Sequence, residues 1–203
     1  MFSVMRSGKS ALLRFLAAVL VAVAGLAYVG TAAAEPEPYT ARAVLCYYDF
    51  SNQQIQEIGK GRLITTDSVL VFRIISDDNA LMNGWEYLED NSNLNRNEKG
   101  KVWGHLEMYP DDAYDDALGG YAGYFEENYN IKTKDGLVGV YTGTGSLAGV
   151  TVTYAGVPGA AESCPADPTL PAALCGPEYD CVPVKDTPFE GFVWMFGGMI
   201  EGY

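Results

Sequence analysis

The chain contains a single histidine, His105, and few basic residues. One histidine excludes metal sites that need two, such as H-E-x-x-H, and makes any Ser–His or Cys–His catalytic pair depend on this residue. The 13 lysines and arginines are scattered and are outnumbered by 26 acidic residues. Nucleic acid and anionic lipid surfaces are therefore not expected partners, because both require clustered positive charge.

The long apolar run at residues 15–29 is near the start of the chain. Three basic residues precede it, and the small residues Thr-Ala-Ala-Ala follow at 31–34. This pattern is typical of a secretory signal peptide over residues 1–34, with cleavage after Ala34, and it predicts a secreted or periplasmic protein. A retained membrane anchor is the alternative, although the run is short for a span of roughly 20 residues.

The rest of the chain, residues 35–203, is expected to form one domain. Residues 1–34 hold three of the basic residues and no acidic ones, so the remaining 169 residues have 10 basic and 26 acidic side chains, a net charge of −16. An acidic surface of this kind favours solubility and attracts cations or basic partners.

The four cysteines lack any C-x-x-C pair, which argues against a zinc site formed by their thiolates. An even number in an exported chain predicts two disulfides, and three pairings of Cys46, Cys164, Cys175 and Cys181 are possible. Cys46 stands alone in an apolar strand, whereas the other three lie in the proline-rich segment 157–188. We therefore expect one bridge to join the first strand to this segment.

A sustained helical period is absent from residue 41 onward. Short β-prone runs alternate instead with Gly, Asn, Asp and Pro. The predicted strands are residues 41–50, 62–65, 68–76, 85–88, 102–109, 121–129, 137–142, 146–154 and 191–200. The second and third could be one bent strand. Asp135-Gly136 and the Gly143-Thr144-Gly145 turn indicate tight antiparallel connections, so we predict a small closed antiparallel β-barrel of about eight strands.

The final predicted hairpins resemble a known superfamily. Residues 137–151 read LVGVYTGTGSLAGVT and follow GYAGYFE at 120–126 and the Trp103-Gly104 strand. The stretch 102–156 is similar to the allene oxide cyclase and dirigent barrels. This resemblance implies an eight-stranded barrel with an apolar cavity, used for cyclisation or for holding a reactive intermediate. The Pro/Cys-rich segment and the strand after it are not part of that pattern.

Strand alternation places Trp103, His105, Glu107 and Tyr109 on one face and Val102, Gly104, Leu106 and Met108 on the other. The second face is a core face. The first faces either solvent or, with an inward register, a polar and aromatic pocket. In the pocket interpretation, Glu107 is a general acid or base with a raised pKa, and His105 lies beside it.

The strand 121–129 has the same ambiguity, because each of its faces carries one glutamate. We select Glu126 as the third candidate catalytic residue, pointing away from bulk water. The chain is also rich in tyrosine, which suits the wall of a cavity for a planar ligand. The candidate ligand-binding residues are Trp85, Tyr87, Trp103, Tyr109, Tyr124 and Tyr141. An exposed β-surface is the alternative for this set.

The densest charge cluster is Asp111, Asp112, Asp115 and Asp116. Carboxylates at this density could hold Ca²⁺, but the spacing differs from an EF-hand loop, so we expect a solvated acidic loop. The sequence predicts neither a metal nor a cofactor.

Three classes of function fit these observations. The first is an exported barrel that binds a small apolar or aromatic molecule. The second is a cofactor-independent cyclase or isomerase acting in the same cavity, and the third is a structural or interaction protein of the cell surface. A buried carboxylate beside a phenol would favour the enzyme, and a filled core would favour the third class. The oligomeric state and the ligand stay open at this point.

Overall fold

A computed structural model of the chain describes residues 35–111, 119–130, 136–165 and 180–202. In these ranges the strands are β1 (Glu37–Asp49), β2 (Gln54–Ile58), β3 (Arg62–Ile75), β4 (Gly84–Asn95), β5 (Lys99–Pro110), β6 (Tyr121–Asn130), β7 (Leu137–Gly143), β8 (Thr151–Pro158), β9 (Val182–Pro183) and β10 (Val193–Glu201). Two short 3-10 helices, Ala80–Met82 and Gly145–Leu147, accompany them. The described ranges contain no helix of the length and apolarity that crossing a membrane requires. The signal-peptide prediction lies outside these ranges.

Eight of the strands close into an antiparallel barrel, which confirms the predicted fold. The strands are hydrogen-bonded in the order β3-β4-β5-β6-β7-β8-β10-β1, and β1 pairs with β3 to complete the ring. Closure leaves these strands without the free edges that promote aggregation. The short strand β2 pairs with the first residues of β3, and the short strand β9 pairs with the last part of β1.

Strand β3 is the bent strand that the sequence allowed. It runs from Arg62 to Ile75 without interruption, and its pairing with β4 shifts register between Thr65 and Ser68. Asp67, inside this irregularity, has a φ of 61°. An aspartate tolerates this left-handed conformation better than most residues, so the chain bends at the bulge instead of ending the strand.

The strand predictions failed where local features were weak. Strand β2 was missed because all five of its residues are exposed, so no apolar alternation marks it. Strand β8 starts at Thr151 rather than Ser146, because residues 145–147 form a 3-10 helix that begins at Gly145, whose φ is positive. The predicted Asp135-Gly136 turn falls partly outside the described residues.

The two ends of the barrel differ. At one end, which we call the closed end, Met82 and Tyr121 are fully buried with Ile74, Met108 and Ile200 in the main core. The other end, which we call the open end, carries the β4–β5 turn, the β1–β3 connection and the segment between β8 and β10. The two longest connections between barrel strands, from β1 to β3 and from β8 to β10, therefore lie at the open end.

A disulfide joins Cys46 on β1 to Cys164, which confirms the predicted link between the first strand and the cysteine-rich segment. Cys181 is also disulfide-bonded, and Cys175 lies outside the described residues. Cys46 packs on the outside of the barrel wall with Val69, Val71 and Trp85, and Cys164 and Cys181 cover them. We call this group the outer cluster. The cysteine-rich segment thus gives the barrel a second, smaller apolar core on its outer face.

Candidate functional site

The barrel interior contains a cavity of about 280 Å³ that extends toward the open end. On β4 every second residue from Glu86 to Leu94 lines it, as expected for side chains that alternate between the two faces of a strand. Most of the remaining wall is aromatic or aliphatic, including Phe72, Phe125, Tyr154, Trp194 and Phe196. The barrel core is therefore incompletely filled, and the unfilled part is apolar with a few polar groups.

Glu86 is the most deeply placed acid of the cavity. Its side chain is 6% exposed, and its Oε2 accepts a hydrogen bond from the hydroxyl of Tyr141 on β7. Burial raises the pKa of Glu86 to about 7, although the hydrogen bond from Tyr141 acts in the opposite direction. A carboxyl group with this pKa exchanges its proton close to neutral pH, which suits a general acid or base.

Phenols surround Glu86. Tyr141 and Tyr154 lie with their ring centroids 4.9 Å apart, and Tyr39 approaches from β1. Burial, followed by the nearby Glu86 carboxylate, raises the pKa of all three hydroxyls above the ordinary value. These phenols therefore stay protonated and act as hydrogen-bond donors rather than as anions.

Gly139 makes room for this arrangement. It is the register partner of Tyr154 on the neighbouring strand, and a methyl group built on Gly139 would overlap the Tyr154 ring. Only glycine leaves the space that the phenol occupies. Gly139 therefore positions Tyr154 against Tyr141 and Glu86.

Three further acids line the cavity toward the open end: Asp90, Glu98 and Glu127. Burial raises the pKa of Asp90 to about 6, and a hydrogen bond with Ser68 lowers it in part. Glu127 is 5% exposed, whereas Glu98 is exposed in the β4–β5 turn. Among the described residues that form the wall, none is Lys, Arg or His.

The inward interpretation of the β5 candidates is wrong. Trp103, His105 and Glu107 are exposed on the outer face, because Leu106 and Met108 occupy the interior positions of the same strand. The Glu107 carboxylate accepts a hydrogen bond of 2.7 Å from the Tyr109 hydroxyl on that outer face. Neither Glu107 nor His105 can therefore act inside the cavity.

The choice of Glu126 is also wrong, and its neighbour Glu127 is the buried one. Glu126 lies outside, where it forms an ion pair with Lys101 of β5. The candidate ligand residue Tyr124 shares that outer face and is 61% exposed. The alternation did not separate the two faces, because Tyr124 on the outer face matches Phe125 on the inner one and each face carries one glutamate.

Of the six aromatic candidates, Tyr141 is the one that lines the cavity. Trp85 belongs to the outer cluster, and Tyr87 and Tyr109 pack against it, so their predicted inward position is wrong. The disulfide-linked segment packs over this part of the outer surface. The outer face of β4 therefore carries apolar side chains, as its inner face does. Trp103, 40% exposed, and Tyr124 lie elsewhere on the outer surface.

Glu86 was missed as a site residue for the same reason. In the Trp85-Glu86-Tyr87-Leu88 sequence, the aromatic pair is the predicted part of the cavity wall, and an inward Trp85 and Tyr87 would turn Glu86 to the other face. The inverted pattern could be found only by recognising that a cysteine-rich segment covers the outside of this strand.

Of the four aspartates in the acidic cluster, Asp111 lies within the described residues. Both oxygens of this carboxylate receive hydrogen bonds from Arg73, at 2.6 and 2.5 Å, so Asp111 is ion-paired rather than merely solvated. The other three aspartates lie outside the described residues. Within the described ranges, no group of three or more His, Cys, Asp or Glu side chains could hold a metal ion.

Comparison with protein-family models, curated proteins and solved structures found no match to this chain. The resemblance to the allene oxide cyclase and dirigent barrels therefore stays a prediction.

Proposed function

We propose that this protein binds a small molecule with an aromatic or aliphatic body inside the barrel. The observation that carries this proposal is the cavity of about 280 Å³, which opens at one end and is walled mainly by aromatic and aliphatic side chains. A structural protein would gain stability by filling such a space, because the lining of an empty cavity loses dispersion contacts.

The size of the cavity limits the ligand. Sites for drug-sized molecules are typically about 300–1,000 Å³, so this one takes a compact molecule of one or two rings rather than a long lipid chain. The polar groups are few and lie at defined depths, with Glu86 and Tyr141 at the bottom. They would fix the orientation of a ligand whose body is apolar.

We place this function outside the cytoplasm. The Cys46–Cys164 bridge supports this assignment, since structural disulfides persist in oxidising compartments. The predicted signal peptide supports it independently.

Native mass spectrometry of protein purified from its exported fraction tests for a bound ligand. We expect an additional mass that is lost on unfolding. A fluorescence titration with N-phenyl-1-naphthylamine, a neutral probe, tests the location. Leu94→Trp, which fills the cavity near its entrance, should abolish probe binding, while the control Asn93→Trp on the opposite face of β4 should not. Equal binding by both variants would place the ligand elsewhere.

A second candidate function is proton-transfer catalysis, as in an isomerase or cyclase. The specific observation in its favour is the buried Glu86 carboxyl group in hydrogen-bond contact with the Tyr141 phenol. Glu86 would take or give the proton, and Tyr141 would stabilise developing negative charge on the substrate.

Deuterium uptake distinguishes an enzyme from a binder. Mass spectrometry of the copurified molecule in D₂O would show exchange of a carbon-bound hydrogen if Glu86 transfers protons. Glu86→Gln should slow that exchange by about 10²- to 10⁴-fold while the molecule stays bound. A bound molecule that does not exchange would leave binding as the function.

A further inference from the structure

We propose that the ligand carries a positive charge, so that the cavity takes a compact organic ammonium compound with an aromatic or aliphatic body. This inference rests on the proposed binding function and specifies its ligand class. It is carried by the charge of the cavity wall together with its aromatic content.

Among the described residues of the wall, all of the side chains that carry charge near neutral pH are acidic. Glu86, Asp90, Glu98 and Glu127 line one small space, and no basic side chain among the described lining residues accompanies them. Such a concentration is costly in an apolar cavity, because buried carboxylates lose hydration and repel one another. A positively charged ligand would recover part of this cost.

Three basic residues are engaged on the outside of the barrel. Among the described residues, ion pairs join Arg42 to Glu162 and Asp77, Arg73 to Asp111, and Lys101 to Glu126. Each of these three basic residues belongs to the outer face of its strand. The outer surface thus compensates several of its acids locally, whereas the described residues of the cavity wall include four acids and no base.

The aromatic rings complete a site for an ammonium group. Tyr129 lies close enough to Glu98 and Glu127 that their charges raise the pKa of its hydroxyl, after the larger effect of burial. Phe192 and Trp194 also line the cavity, with ring centroids 5.9 Å apart. Aromatic faces attract cations, and a carboxylate beside such a face strengthens the preference for ammonium over a neutral group.

Other ligand charges fit less well. A neutral apolar ligand would displace water from the carboxylates without replacing its hydrogen bonds, and an anion would add repulsion from four acids. Burial raises the pKa of Glu86 and Asp90, so their ionised forms are disfavoured in the cavity. A bound ammonium group would reverse that effect by favouring their ionised forms.

Three probes with one ring system test the inference: 1-naphthylmethylamine, 1-naphthylmethanol and 1-naphthoate. Their binding is measured by calorimetry with the whole mature protein at about pH 8, above the raised pKa values of both carboxylates. We expect the ammonium probe to bind at least about 10-fold more tightly than the alcohol, the usual gain from a charge-assisted hydrogen bond, and the carboxylate probe to bind weakest.

Neighbouring glutamates on β6 provide matched variants. Glu127→Gln should lower the affinity for the ammonium probe by about 10-fold and leave the affinity for the alcohol probe unchanged. Glu126→Gln, on the outer face, should change neither affinity. If Glu127→Gln does not fold, Glu98→Gln in the exposed turn replaces it, with the same expected selectivity.

The outcomes separate the two proposals. Equal affinity for the ammonium and alcohol probes, or loss of both in Glu127→Gln, would overturn the charge inference while keeping the binding function. Failure of all three probes and of N-phenyl-1-naphthylamine would overturn the binding function and the inference with it.

Discussion

Replacing Glu86 by Gln should make the protein more stable at alkaline pH and leave it nearly unchanged at acidic pH. The buried carboxyl group has its pKa raised from 4.5 to about 7. Between these two values the folded state therefore binds more protons than the unfolded state, so the free energy of unfolding falls as the pH rises. Gln keeps the shape and an acceptor for the Tyr141 hydroxyl but carries no charge.

The magnitude follows from the size of the displacement. A shift from 4.5 to about 7 corresponds to about 3 kcal/mol in the free energy of unfolding. The wild type has lost this free energy above about pH 7 and retains it below about pH 4.5. This is a large share of the roughly 5–15 kcal/mol by which domains are stable. The difference in unfolding free energy between Glu86→Gln and wild type should thus rise by about 3 kcal/mol across this range.

Urea denaturation at a series of pH values measures this difference. Other acids, including Asp90 with its raised pKa and Asp49 with its lowered one, titrate in both proteins and cancel in the comparison. The control Glu126→Gln, at an exposed carboxylate, should give a difference that hardly varies with pH. A flat profile for Glu86→Gln, or a variant less stable than wild type at alkaline pH, would refute the reasoning and indicate that Glu86 is ionised with a compensating partner.

Three further predictions concern the bridge, the glycine and the outer face. In unreduced protein Cys46 and Cys164 should not react with a thiol probe, and changing both to Ala should lower the unfolding free energy by about 2–5 kcal/mol; rapid labelling would contradict this. Gly139→Ala should cost about 1–3 kcal/mol by urea denaturation, and much less in a Tyr154→Ala background, because the overlap with the ring is then relieved. Glu107→Gln should change stability by less than about 0.5 kcal/mol and leave probe binding intact, so a loss of binding would show that the exposed carboxylate has a role we did not assign.

The sequence was most informative about the strands with strong alternation. In β5, Leu106 and Met108 marked a core face that the structure confirms, and Cys46 in its isolated apolar strand predicted its link to the later cysteines. The antiparallel order of β3 to β8 followed from short connections. These features depend on residues that are close together in the sequence or on single cysteines, so the sequence predicts them.

The residues of the candidate site could not be predicted in this way. Whether Glu86 or Trp85 points inward depends on which face of β4 meets the other strands and which face a distant segment covers. Both faces are apolar enough to be buried, so the alternation was ambiguous, and the aromatic residues were assigned to the wrong side. The same ambiguity led to Glu126 in place of Glu127.

The sequence by itself determined an all-β chain with a disulfide between its first strand and its cysteine-rich segment, because strand alternation, turn residues and the placement of cysteines act locally or pairwise. Only the tertiary structure decided what the barrel encloses. Closure of eight strands brings Glu86, Tyr141 and Tyr154 from three separate strands into contact, and the disulfide-linked segment turns the outside of β4 into a second core. A buried acid is recognisable only when everything packed around it is known, since its burial is a property of the whole fold.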